Sequence, residues 1–164
     1  MMILRIGLWA VFILPFLTLL LLRRDLIRKY LPAAMFVTII NVILYEVAWE
    51  YGWWHYKQSL FAWDTITPAP LIFSAYWVVT IWIFALSFRR FWLYFMLNLA
   101  VNGLFAFELA PWLSRAGITE GTLTGTSILL ILTALSTGVY LFQLWYGREE
   151  RSEMTFQMPR RSRI

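Results

Sequence analysis

The chain of 164 residues contains no cysteine. That excludes disulfides, thiolate metal sites, c-type haem attachment and a cysteine nucleophile together. It contains one histidine, His55, so no paired-histidine metal motif exists. No glycine-rich phosphate loop and no serine nucleophile elbow is present. Charge is scarce too: Asp, Glu, Lys and Arg make up 14% of the chain, against about a quarter in soluble domains.

What fills the chain instead is apolar. Hydrophobic residues account for 61%, gathered in five runs long enough for helices to cross roughly 30 Å of hydrocarbon. In lipid every backbone polar group must be satisfied internally, so the spans are expected to be helices. The reading is an all-α, five-helix transmembrane bundle forming a single domain over residues 1–146. The helices are placed at about 3–22, 31–51, 70–88, 91–111 and 125–146. Pro32 is expected in the first turn of the second helix, where a missing N–H costs little. Pro111 is expected to end the fourth, and Gly147 to follow the fifth. Residues 147–164 read as a basic, disordered cytoplasmic tail.

The charges set an orientation. Arg23, Arg24, Arg28, Lys29, Arg89, Arg90, Arg148, Arg151, Arg160, Arg161 and Arg163 fall on one side of the spans, and Arg5, Lys57 and Arg115 on the other. By the positive-inside rule the amino end is outside and the carboxyl end in the cytoplasm. The apolar run at 6–22 is preceded by Arg5 alone and followed by the cluster Arg23, Arg24, Arg28 and Lys29. It reads as an uncleaved first helix rather than a signal peptide. Most of the ten tryptophans fall near one or other boundary, where an indole finds both apolar and wet surroundings. The net charge of +5 reads as orientation and headgroup contact, not nucleic-acid binding. The location implied is the bacterial plasma membrane, as an integral multi-pass protein.

Polar groups inside the spans are the candidate functional residues, because each costs free energy in hydrocarbon. At about 1.5 Å per residue, Asn41 lies near the midplane of the second helix. Glu46 lies further out and Glu50 at the outer interface. On the fourth helix Asn98 and Asn102 lie a third to half of the way across, and Glu108 near the outer interface. Glu46 and Glu50 share a helix face, as do Asn98 and Asn102. Two carboxylates on one face suit a cation, a shared proton or acid–base work; the bland alternative is packing for Glu46 and an interfacial Glu50. The asparagines suit either helix–helix hydrogen bonds or a ligand pocket. His55 sits in an aromatic loop, 51–67, expected to lie in the headgroup region or fold back over the bundle; a metal site there would need Glu50 or Asp64 beside it. Ala134 and Gly138 have the spacing that permits close helix approach, within the bundle or to a second copy.

Two resemblances add expectations. The stretch Glu50-Tyr-Gly-Trp-Trp-His-Tyr-Lys, then Pro68-Ala-Pro, then Phe91-Trp-Leu-Tyr resembles small, uncharacterised multi-pass membrane proteins of spore-forming bacilli, which implies a plasma-membrane location and no known activity. Locally, Thr67-Pro68 with Phe73 and Trp77, and Asn98-Leu-Ala-Val-Asn102 with Phe105, are similar to helices of the tryptophan-rich sensory (translocator) protein family. Ala69 interrupts that family's paired prolines, and Asn98 and Phe105 stand where it has Gln and Trp. The resemblance implies a porphyrin-type ligand near Trp77, Asn98 and Asn102.

The leading expectation is therefore a non-enzymatic membrane protein that binds partner subunits or an apolar ligand, with Asn41, Glu46, Asn98 and Asn102 lining a pocket between the second and fourth helices. A homo-oligomer or a membrane partner protein fits that expectation, and no cofactor is named by the sequence. The alternatives are a small transporter or ion path using Glu46, Glu50 and Glu108, and an intramembrane lipid or isoprenoid enzyme with Glu46 and Glu50 as acid and base.

Overall fold

The computed structural model describes residues 2–157, with side chains described for residues 5–148. The architecture is all-α. Its helices are α1 (Met2–Thr18, closed by a short tight turn Leu19–Leu21), α2 (Arg24–Glu50), α3 (Leu71–Ser87), α4 (Phe91–Arg115) and α5 (Gly125–Gln157). By length and composition three segments suffice to cross a membrane: α2, α4 and the Gly125–Arg148 part of α5. Two shorter apolar segments, Arg5–Leu21 and Leu71–Ser87, accompany them.

α2, α3, α4 and α5 form a four-sided bundle in which α2 and α4 each pack on α3 and on α5. α2 and α4 thus stand diagonally. α1 lies outside, against the first turns of α3. It is tied there by Ser74 Oγ donating to the Phe12 carbonyl at 2.6 Å and by Trp82 Nε1 donating to Thr18 Oγ1 at 3.0 Å. The core is strongly aromatic. Tyr30, Phe84, Tyr94 and Tyr140 pack face to face or tilted, with Phe84–Tyr94 centroids 4.9 Å apart and Tyr94–Tyr140 4.7 Å apart. Phe36 of α2 stacks on Phe142 of α5 at 4.1 Å.

Three helix ends differ from expectation, each for a physical reason. α2 begins at Arg24 rather than near residue 31, so Pro32 lies inside the helix. The added turns bury Tyr30 and pack Leu26 and Ile27 on the core. Asp25 also sits favourably in the first turn, near the positive end of the helix dipole. Pro111 does not end α4. A widened turn over Phe105–Leu109 immediately precedes it, and the helix resumes through Ala110–Arg115. Such turns absorb a missing N–H that a regular ladder would miss. At Gly147 α5 continues, to Gln157; the rest of the expected tail, 158–164, lies outside the described residues.

The ends of α2 and α4 are built alike. Gly52 and Gly117 both adopt positive φ, 65° and 69°. After α2, Gly52 N–H donates to Trp49 O and Trp53 N–H to Ala48 O. After α4, Gly117 N–H donates to Ser114 O and Ile118 N–H to Leu113 O. Both are Schellman caps, which favour glycine because a Cβ is strained at that φ. Each cap launches a short strand: β1 (Trp54–Tyr56) and β2 (Thr119–Gly121). The strands pair antiparallel, with Trp54 opposite Gly121, His55 opposite Glu120 and Tyr56 opposite Thr119. This small sheet covers one end of the bundle. The opposite end carries Arg24, the Arg89–Arg90 turn and Arg148.

Candidate functional site

The candidate site lies directly beneath the sheet. Side chains alternate along a strand, so His55 and Lys57 face away from the bundle beside Glu120, while Trp54 and Tyr56 face into it. There they meet Tyr45 of α2, Tyr76 of α3, and Phe105 and Leu113 of α4. Ile128 and Leu132 of α5 close the chamber. The free space is about 40 Å³. A buried water needs roughly 10–15 Å³ of such space, so the chamber admits a group of a few heavy atoms. Tyr45 is edge-on to Trp54 at 5.7 Å and tilted against Tyr56 at 5.9 Å.

Thr119 of β2 and three tyrosines, Tyr45, Tyr56 and Tyr76, bring hydroxyl groups to its lining. Burial, reinforced by Tyr76, pushes the Tyr56 phenol well above its ordinary range, so it stays protonated as a donor. The indole N–H of Trp54 is buried and has no hydrogen-bond partner.

The lid is well braced. Lys57 Nζ pairs with Glu120 across the sheet at 2.6 Å. That bond and charge hold the Glu120 carboxyl below its usual range. Thr122 Oγ1 donates to Gly52 O at 3.0 Å. Asp64 is wholly buried in the loop following β1. Its carboxylate accepts from the backbone N–H of Leu60 at 3.2 Å, Phe61 at 3.1 Å and Ala69 at 3.3 Å. The loop so fixed sets Phe61 against Trp9 and Phe12 of α1, at 5.8 and 6.2 Å.

The residues singled out from the sequence lie elsewhere and apart. Asn41 is buried, but its Nδ2 donates to Val37 O of its own helix at 2.8 Å and its Oδ1 has no partner. Asn98 likewise donates to Tyr94 O at 2.9 Å. Asn102 does reach another helix, donating to Ser136 Oγ of α5 at 3.2 Å. Its expected level with Asn41 does not make a pair, because α2 and α4 are diagonal. Glu46 and Glu50 share a face as expected, but it is an exposed face of α2, continuous with exposed Met35, Ile39 and Ile43. Glu108 is exposed on α4 between exposed Phe107 and Leu109. A joint pocket of Asn41, Glu46, Asn98 and Asn102 is therefore not what this packing makes.

His55 faces the Trp49 carbonyl through Nε2 at 3.3 Å, whereas Asp64 is occupied by backbone N–H groups. Trp77 packs towards Phe16 of α1 at 5.8 Å, and with Asn98 and Asn102 it lies outside the lining of the chamber. Gly138 has open space where a Cβ would stand, and Ala134 is exposed. That small-residue face of α5 is not used within the bundle.

The chamber's own residues escaped the sequence reading, since Tyr45, Tyr76 and Phe105 are indistinguishable from core aromatics in a chain with so many. The usable signal was Gly52 and Gly117, each closing a helix just before a short β-prone stretch. Comparison with family models, with curated proteins and with solved structures finds no match to this chain.

Proposed function

We propose that this is a non-enzymatic integral membrane protein of the bacterial plasma membrane, crossing it five times with the sheet end outside. Its role on this reading is to bind a small apolar ligand, or the end of a larger one, in the chamber beneath the sheet. The bundle's composition and the clustering of arginines at the end opposite the sheet support the membrane placement. The 17-residue segments Arg5–Leu21 and Leu71–Ser87 reach about 26 Å at 1.5 Å per residue, close enough to the hydrocarbon thickness for modest bilayer adjustment.

One observation carries the ligand reading. The Trp54 ring lines the aromatic-walled space, and its indole N–H is buried without a partner. An unmet buried donor costs about 1–3 kcal/mol, which a ligand acceptor such as a carbonyl or ether oxygen offsets while the rings take its apolar body. Transport and lipid chemistry draw less support, because Glu46, Glu50 and Glu108 lie on outward faces rather than in one site.

The test is native mass spectrometry of the full chain extracted gently from its own membrane. The reading expects a small-molecule adduct that is lost in Trp54→Phe, which keeps an aromatic ring but removes the N–H. An adduct equally retained in Trp54→Phe, or a bare chain throughout, overturns it.

A further inference from the structure

At the end opposite the sheet, the turn between α3 and α4 and the last described side chains of α5 enclose a second recess. It measures about 250 Å³ and is lined by Phe88, Arg89, Leu144, Gly147 and Arg148. Two walls are apolar, Phe88 and Leu144, and two are guanidinium-bearing. A third cation is near one of these walls: Lys29 Nζ lies 4.8 Å from the centre of the Phe88 ring. Gly147 keeps the floor low: a Cβ there would already touch the Phe88 ring, at 4.0 Å.

Arg89 has an unusual backbone. Its φ is 72°, and among the described residues it is the one non-glycine with positive φ. A turn needing that conformation is best served by glycine. An arginine there sacrifices local stability to place a guanidinium at the mouth of the recess, and departures of this kind tend to mark function.

We propose that the recess holds the phosphate of an anionic phospholipid. Arg89 and Arg148 bracket the phosphate oxygens, a geometry to which the guanidinium fork is suited, and Phe88 and Leu144 carry the start of an acyl chain. The same phosphate chemistry occurs in soluble phosphate anions. The lipid is the source favoured here because apolar walls adjoin the cations and because the recess sits where the arginines mark a headgroup layer. This site is independent of the chamber at the sheet end.

The full chain, purified in a neutral detergent, is presented with equimolar phosphatidylglycerol and phosphatidylcholine, and retained lipid is counted by native mass spectrometry. Wild type should favour phosphatidylglycerol. Arg89→Gly should cut that preference about fivefold, the effect of one cation near an anionic surface. It should do so with an unchanged or raised thermal midpoint, because glycine relieves the backbone. Arg23→Gln with Arg24→Gln, at the same end but outside the recess, should leave the preference in place. Equal loss in that control, or no preference in wild type, overturns the proposal. Inorganic phosphate displacing the lipid at millimolar concentration assigns the site to a soluble anion and overturns the lipid source.

Discussion

The hydroxyl of Tyr94 on α4 donates to the backbone carbonyl of Ser136 on α5 at 2.8 Å. Ser136 also receives Asn102 Nδ2 on its Oγ, while that Oγ donates to Leu132 O at 2.8 Å. Most other hydroxyl and amide groups in the helices bond back to their own turn, as Thr38, Thr80 and Thr137 do. Ser136 is thus the main polar join between α4 and α5. Tyr94→Phe and Asn102→Leu should each lower stability by about 0.6–1.7 kcal/mol, the range of interhelical hydrogen bonds in lipid. Reversible unfolding in mixed detergent measures this, and a double-mutant cycle should show coupling through Ser136. Unchanged stability in both single variants would remove the join from the account.

Gly52 and Gly117 hold matching left-handed caps, so alanine at either should cost about 1–2 kcal/mol. The loss should be local first. Amide exchange at Trp54, His55 and Tyr56 should quicken before the core of α2 does. Gly121 is constrained differently: a Cβ there would run into the Trp53 carbonyl, so Gly121→Ala should separate the strands outright.

The Lys57–Glu120 pair gives the sheet a pH dependence of known sign. The folded carboxyl titrates below its ordinary value of 4.5. Its contribution is therefore present above that pH and is lost as pH falls through the folded value. Amide protection of the strands should be steady near neutrality and decline in acid. In Glu120→Gln that decline should be absent. Both groups are well exposed, so the effect should also shrink with added salt.

Asp64 receives three backbone N–H bonds while fully buried, and Asp64→Ala leaves those donors unmet. A loss of about 2–3 kcal/mol is expected, near the upper end for a charged acceptor, together with faster proteolysis within residues 57–70. Asp64→Asn keeps one acceptor oxygen and should fall between the two. Cleavage at the wild-type rate in Asp64→Ala would show that the loop is held by its aromatic contacts alone.

The helices were legible because apolar runs broken by arginine pairs leave few alternatives; the expected limits of α3 lie within a residue of the observed ones, whereas α2 starts seven residues earlier and α5 runs on to Gln157. Pro32 and Pro111 misled in opposite directions from one cause. A proline marks where the backbone lacks a donor, but burial of Leu26, Ile27 and Tyr30, or a widened turn before Pro111, decides whether the helix continues. The candidate site was not legible. Depth along a helix follows from counting residues, whereas the direction a side chain faces depends on which helices are neighbours. Asn41 and Asn102 were matched in depth but sit on diagonal helices, and Glu46 faces outward. Tyr45 and Tyr76 meet through the packing of α2 on α3, and Trp54 and Tyr56 are held over them by a strand whose partner, β2, lies about 65 residues away in sequence, a pairing that the two cap glycines hint at but do not specify.

The absence of cysteine makes the central claim, five crossings with the sheet end outside, directly measurable. Single cysteines at Gln58, at Thr122 and at Arg28 would be tested in intact cells with a membrane-impermeant maleimide. The account predicts labelling at positions 58 and 122 without permeabilisation, and at position 28 only after it. Labelling of all three from one side, or the reverse pattern, would contradict it.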